Sequence, residues 1–164
     1  MIPFFTASAM PRFEAWAPNG LMALMLAALG VSAVVAAAEA FAWPLSAPWH
    51  GAALAVQAPA AALMAFLAFR WGLVQSLRIR LLAMLHAGFA WLGIALALSA
   101  ISHARVLAWG ETASLGLAPL HALAAGYLGA TLFAMTTRVS SGHCGRPLSA
   151  DNPAWLLYLA IQAA

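Results

Sequence analysis

Residues 81–101 read LLAMLHAGFAWLGIALALSAI, a stretch without charge that contains one histidine, His86. As a helix with a rise of about 1.5 Å per residue, such a stretch covers the roughly 30 Å hydrocarbon core of a bilayer. Lipid offers no hydrogen bonds to the backbone, so a segment that spans it must satisfy its own amide groups. The stretch therefore predicts a transmembrane helix.

The rest of the chain follows the same pattern. It is 65% hydrophobic and 7% charged, whereas soluble proteins carry about a quarter charged residues. We predict an all-α fold, a polytopic membrane helix bundle with four full transmembrane helices and a truncated fifth. Residues 1–18 form a cytoplasmic N-terminal segment and residues 19–164 form the bundle. The predicted spans are about 19–43, 49–69, 81–101, 115–137 and, truncated, 153–164.

The arginines indicate the orientation of this bundle. With a cytoplasmic N-terminus, six of the seven arginines fall on the cytoplasmic side and only Arg105 on the opposite side. This is a strong positive-inside bias, which indicates the orientation of a multi-pass membrane protein and gives no indication of nucleic-acid binding. The cytoplasmic arginines are Arg12, Arg70, Arg78, Arg80, Arg138 and Arg146.

Two histidines, His86 and His121, lie within the predicted spans, where ionisable side chains usually face a partner, a cavity or a cofactor. Each heads a face of small residues, which leaves room either for close helix packing or for the plane of a haem. The sequence alone favours packing. Because the two imidazoles enter from opposite sides of the membrane, we expect them to serve different sites if they bind metal or haem.

Further imidazoles, His50 and His103, fall near the external side, as does His121. Imidazoles are suitable ligands for copper, and the nearby Glu39 is a possible acceptor for a histidine N–H. No ligand spacing supports a shared site, however. The sequence alone therefore favours unrelated interfacial histidines and an interfacial carboxylate at position 39.

A basic turn is predicted at residues 138–146. Arg138, His143 and Arg146, together with glycine N–H groups, could bind a haem propionate or a phosphate. The alternative is a positive-inside loop in contact with lipid headgroups. The neighbouring Cys144 is the only cysteine of the chain, so it forms no internal disulfide.

Several motifs resemble the NnrS family of bacterial inner-membrane proteins. They are IPFFT at residues 2–6, LHAGFAWLGIAL at 85–96, HALAAGYLGATLFAMTTR at 121–138 and GHCGRPL at 142–148. The resemblance implies a haem- and copper-containing membrane protein linked to nitric oxide, nitrosative stress and denitrification. It also implies a longer protein of which this chain is an internal piece, with helices outside the chain as partners. Cys144 stands where the family usually has threonine.

The resulting hypothesis is a haem and copper protein with His86 and His121 as metal ligands and Arg138, His143 and Arg146 as further cofactor-binding residues. An alternative is a transporter or channel with a histidine-lined polar path beside the helix break expected at Pro59. A passive membrane scaffold is a third possibility. The sequence contains no nucleophile–base pair and no acidic dyad, so no enzymatic reaction is assigned.

Overall fold

The computed structural model describes residues 19–42, 44–145 and 149–163, and the regular elements within these ranges are all helical. The predicted N-terminal segment, residues 1–18, lies outside the described residues. Besides the α-helices, the chain contains a 3-10 turn at Glu111–Ala113 and a π-helical segment at Ala122–Gly129. The α-helices are α1 Leu21–Ala42, α2 Ala47–Arg70, α3 Leu73–Ser76, α4 Arg80–Trp109, α5 Ala118–His121, α6 Ala130–His143 and α7 Asn152–Ala163.

The prediction of an all-α membrane bundle is confirmed. Four helical stretches are long and apolar enough to cross a membrane, namely Leu21–Ala42, Ala47–Arg70, Arg80–Trp109 and Glu111–His143. Helix α4 is longer than its predicted span, because it continues past residue 101 to Trp109 and contains 30 residues. At about 1.5 Å per residue it measures about 45 Å, which exceeds the roughly 30 Å of the hydrocarbon core.

Helix α4 occupies the centre of the bundle. It packs against α2, α6 and the π segment, and it buries nearly every residue of its first three turns. Met64 and Leu67 of α2 meet Phe89 and Leu92 of α4 in one apolar cluster. In a bundle of this kind, such packing determines how the ends of the helices are placed relative to one another.

Small residues permit the closest helix approaches. A Cβ added to Gly88 would lie 2.7 Å from Oγ1 of Thr131, and one added to Gly126 would lie 2.6 Å from the ring of Trp91. The Trp91 N–H, which has no evident partner in the sequence, donates to Oε1 of Gln162 at 2.6 Å. The small-residue faces at Gly88 and Gly126 are therefore filled by neighbouring side chains, as is usual for small residues in membrane helices.

Candidate metal centre

Two histidines meet at the end of the bundle where α1 ends, α2 begins and α4 approaches its last turns. His50 lies in the first turn of α2 and His103 lies two turns before the end of α4. Both side chains are buried, with 1% and 3% of their surface exposed. Their Nδ1 atoms are 2.9 Å apart, and the ring planes are inclined by 48°. At this distance one Nδ1–H donates to the other Nδ1.

A carboxylate of α1 completes a group of three metal-capable side chains. Oε1 of Glu39 lies 3.6 Å from Nδ1 of His103, and one donor atom from each of Glu39, His50 and His103 lies within 4.8 Å of the other two. Imidazole nitrogens and carboxylate oxygens are both common ligands of transition metals. This is the one such group among the described residues.

A second carboxylate approaches the pair from the other side. Oε1 of Glu111 lies 3.7 Å from Nε2 of His50, the ring nitrogen that does not face His103. Glu111 begins the 3-10 turn directly after Gly110, whose φ of +86° lies in the left-handed region that glycine adopts without strain. This turn folds the chain back from the end of α4 toward the start of α2.

The local sequence explains why these groups converge. Helix α1 ends at Ala42 and α2 begins at Ala47, so the connection is short and the last turn of α1 must lie beside the first turn of α2. Ser46 precedes α2 in an extended conformation, and a proline occupies one of the first two positions of the helix. The backbone N–H groups there have no partner within the helix, so the missing N–H of the proline costs no hydrogen bond. Because α4 continues beyond its predicted span, His103 reaches the same level as His50.

The comparisons with known proteins extend these observations. The family model described as NnrS protein matches residues 1–164. The chain belongs to the NnrS family. The search among curated proteins and the search among solved structures each found no match. Membership in the NnrS family confirms the resemblance that the sequence motifs carry.

His86, one of the two predicted metal ligands of this NnrS protein, is fully buried at the opposite end of α4 from His103. Its Nδ1 lies 3.0 Å from the carbonyl oxygen of Leu82 and its Nε2 lies 3.1 Å from that of Trp71. Both ring nitrogens thus lie within hydrogen-bond distance of backbone acceptors. A metal at Nε2 would have to displace the Trp71 carbonyl.

His121, the second predicted ligand, is exposed because the helix begins at Ala118 and places it in the first turn. Its Nδ1 lies 3.0 Å from the carbonyl oxygen of Leu117. A carbonyl oxygen can only accept, so Nδ1 carries the proton and, in the neutral ring, Nε2 carries the lone pair. This tautomer is the one in which a histidine binds metal through Nε2.

The predicted turn at residues 138–146 is largely helical, since α6 continues to His143. Arg138 is therefore part of the helix, and the exposed His143 donates from Nδ1 to the carbonyl oxygen of Val139 at 2.9 Å. Arg146 lies outside the described residues. The joint anion site of Arg138 and Arg146 therefore stays a prediction.

The group formed by Glu39, His50 and His103 is the main difference from the sequence analysis, which favoured unrelated histidines at this surface. The two histidines are separated by 53 positions, and no local motif links them. Their shared position at one side of the membrane was visible, but the sequence does not show which faces of α2 and α4 meet. The sequence also gives no signal for Glu111, because the turn after α4 is what brings its carboxylate to His50.

Proposed function

We propose that this protein is a haem- and copper-binding protein of the bacterial inner membrane that takes part in the response to nitric oxide, in nitrosative-stress resistance and in denitrification. Membership in the NnrS family supports a protein of the nitric-oxide response. The observation that carries the metal-binding part is the convergence of Glu39, His50 and His103. Leucine or alanine would pack better in an apolar bundle than two buried imidazoles with a carboxylate beside them. Apolar packing therefore does not explain these three side chains.

The spacing of the two nitrogens allows both of them to bind one metal ion. Two ligand atoms at about 2.05 Å from one metal ion are about 2.9 Å apart at a 90° angle and about 3.3 Å apart at the tetrahedral angle. The Nδ1 atoms of His50 and His103 are 2.9 Å apart, the separation of neighbouring positions in a square-planar or tetragonal site. The same 2.9 Å is the length of the N–H···N hydrogen bond between the two rings, so the assignment of copper rests on the NnrS family. A bound copper ion supplies a redox centre, and the protein supplies its nitrogen and oxygen ligands.

The haem part of the proposal rests on His121. The close contacts of Gly88 with Thr131 and of Gly126 with Trp91 leave no slot for a haem plane at these two glycines. His121 is exposed, and the next small residue on its face, Ala125, is exposed too. Its proton is held at Nδ1 by a backbone carbonyl, so Nε2 presents the lone pair with which His121 would hold a haem iron. We place the haem on this outer face.

His86 fits the haem role less well, because both of its nitrogens face backbone carbonyls. His143 has the same tautomer as His121, with Nδ1 donating to a carbonyl, and therefore also offers Nε2. Arg138 lies about 25 Å from His121 along the helix at about 1.5 Å per residue, so we propose Arg138 and Arg146 as partners of a propionate of a separate haem at the cytoplasmic end, since a guanidinium binds a carboxylate through two parallel hydrogen bonds.

A crossed pair of variants tests the two cofactor sites separately. In the purified protein, His103→Asn should lower the copper content and leave the haem content unchanged. His121→Asn should lower the haem Soret absorbance and leave copper unchanged. Each variant is thus the control for the other, and protection of cells from a nitric oxide donor should fall in both at matched protein levels. Full copper retention in His103→Asn would contradict the copper site, and full haem retention in His121→Asn would contradict the haem site.

One observation favours the transporter alternative. Gln57 is 2% exposed in the middle of α2, and its Oε1 has no hydrogen-bond partner among the described residues. It lies two turns from His50 on the same helix and just before Pro59. A polar path through the bundle would need such groups. Uptake or release of copper by vesicles containing the protein, lost in Gln57→Leu, would support transport over a resident copper centre.

A further inference from the structure

We infer that the two glutamates at the copper site have different roles, with Glu39 as an oxygen ligand and Glu111 as a positioning residue that orients His50. This inference rests on the proposed copper site and specifies how that site is built. It assigns to Glu111 a hydrogen bond from the far side of the His50 ring, and it assigns no metal bond to that carboxylate.

The two carboxylates are distinguished by the ring nitrogen that each approaches. Glu39 lies 3.6 Å from Nδ1 of His103, beside the point where the two Nδ1 atoms converge. Glu111 lies 3.7 Å from Nε2 of His50. Because Nδ1 and Nε2 point away from each other across the imidazole ring, a metal held by the two Nδ1 atoms would have Glu39 on its side of the His50 ring and Glu111 on the far side.

A metal bond at Nδ1 determines where the imidazole proton must be. The neutral ring has one lone-pair nitrogen and one N–H nitrogen. If Nδ1 of His50 binds the metal, then Nε2 carries the proton and needs an acceptor. Ligating histidines almost always donate this second N–H to a carboxylate, a carbonyl or water, and this bond fixes the tautomer and the ring orientation. Glu111 is the carboxylate on that side.

The backbone holds Glu111 in place for this role. The N–H of Gly110 donates to the carbonyl oxygen of Val106 at 2.8 Å and closes α4, and the N–H of Ala113 donates to the carbonyl oxygen of Gly110 at 3.0 Å. Oε2 of Glu111 is buried and has no hydrogen-bond partner among the described residues. The oxygen that faces Nε2 of His50 is the other one, Oε1, and it is the atom through which the carboxylate can accept a hydrogen bond from His50.

The 3.7 Å distance is longer than a hydrogen bond, which for N–H···O is about 2.7–3.2 Å. A shift of about 0.5–1 Å would therefore bring Glu111 into contact. A metal on Nδ1 draws electron density from the ring and makes its N–H a stronger donor, so this contact should shorten when copper binds. Helix α4 then contributes the ligand His103. The turn that follows α4 contributes Glu111, which orients the other ligand, His50.

The test compares matched variants, Glu39→Gln and Glu111→Gln, in the purified protein titrated with copper(II) alone against a competing chelator. The Glu111 variant should bind copper about 10–100-fold more weakly, with an unchanged electron paramagnetic resonance (EPR) spectrum because the metal ligands are unchanged. The Glu39 variant should alter the spectrum because an oxygen ligand is lost. Both side chains are partly exposed, so the variants should fold, and thermal unfolding without copper checks this.

The possible outcomes separate the inference from the proposed function. Wild-type copper affinity in Glu111→Gln and in Glu111→Ala, with copper still bound through the histidines, would overturn the positioning role and leave the copper site standing. A changed EPR spectrum in Glu111→Gln would make Glu111 a ligand and would also overturn it. If the wild-type protein binds no copper, the site itself is wrong and the inference falls with it.

Discussion

Replacing Gly126 with alanine should destabilise the bundle, because the contact between the π segment and α4 has no space for a methyl group. The new Cβ would lie 2.6, 2.7 and 2.8 Å from three carbon atoms of the Trp91 ring, so the ring must move by about 1 Å to reach a normal carbon–carbon separation of about 3.5–4.0 Å. That movement would also disturb the 2.6 Å hydrogen bond from Trp91 to Gln162.

The magnitude follows from three contributions. Overpacking costs about 1–3 kcal/mol, and loss of the hydrogen bond adds about 1 kcal/mol. Alanine gains about 1 kcal/mol over glycine in a helix interior. The free energy of unfolding of Gly126→Ala should therefore fall by about 1–3 kcal/mol relative to the wild type.

A control with the same substitution lies in the same π segment. A Cβ at Gly129 would meet only the carbonyl oxygen of Ala124, at 3.5 Å, which is an ordinary contact. Gly129→Ala should therefore be neutral or stabilising by up to about 1 kcal/mol. Thermal unfolding in detergent, followed by far-ultraviolet circular dichroism, compares the two variants. If Gly126→Ala is as stable as Gly129→Ala, the proposed tight contact with Trp91 is wrong.

Three further outcomes are expected. Reporter fusions should place the loop that contains Arg78 in the cytoplasm and Glu111 on the opposite side of the membrane, since six of the seven arginines are then cytoplasmic. The reverse pattern would contradict this topology. Tyr158→Phe should lower the free energy of unfolding by about 1 kcal/mol, because the buried hydroxyl donates to the carbonyl oxygen of Met84 at 2.7 Å; unchanged stability would show that this bond contributes nothing. Arg146→Lys should impair protection from nitric oxide nearly as much as Arg146→Ala if the guanidinium binds a propionate through two hydrogen bonds, whereas a fully active lysine variant would leave only a role for positive charge.

The fold could be predicted from the sequence because lipid imposes a strict condition on the backbone. Uncharged stretches of about 20 residues must be helical, and four such stretches are found. The end of α4 could not be predicted in this way. Residues 102–109 include His103 and Arg105, which are polar enough to suggest a loop, yet α4 continues through them to Trp109 and His103 lies beside His50.

The candidate site could be predicted only in part. The residue types and their side of the membrane were visible in the sequence, and they raised copper as a possibility for His50 and His103. Which helix faces meet depends on packing between residues far apart in the chain, such as Met64 against Gly93. The close approach at that pair is one of the contacts between α2 and α4 that align the two histidines. A single sequence contains no direct signal for this register.

The most direct test of the central claim is a count of the nitrogen atoms bound to copper(II) in the purified protein, measured by pulsed EPR. The account predicts two imidazole nitrogens in the wild-type protein, because the Nδ1 atoms of His50 and His103 are the converging donors. It predicts one in His103→Asn and one in His50→Asn. Copper with the same nitrogen count in either variant as in the wild type would show that these two histidines do not form the copper site.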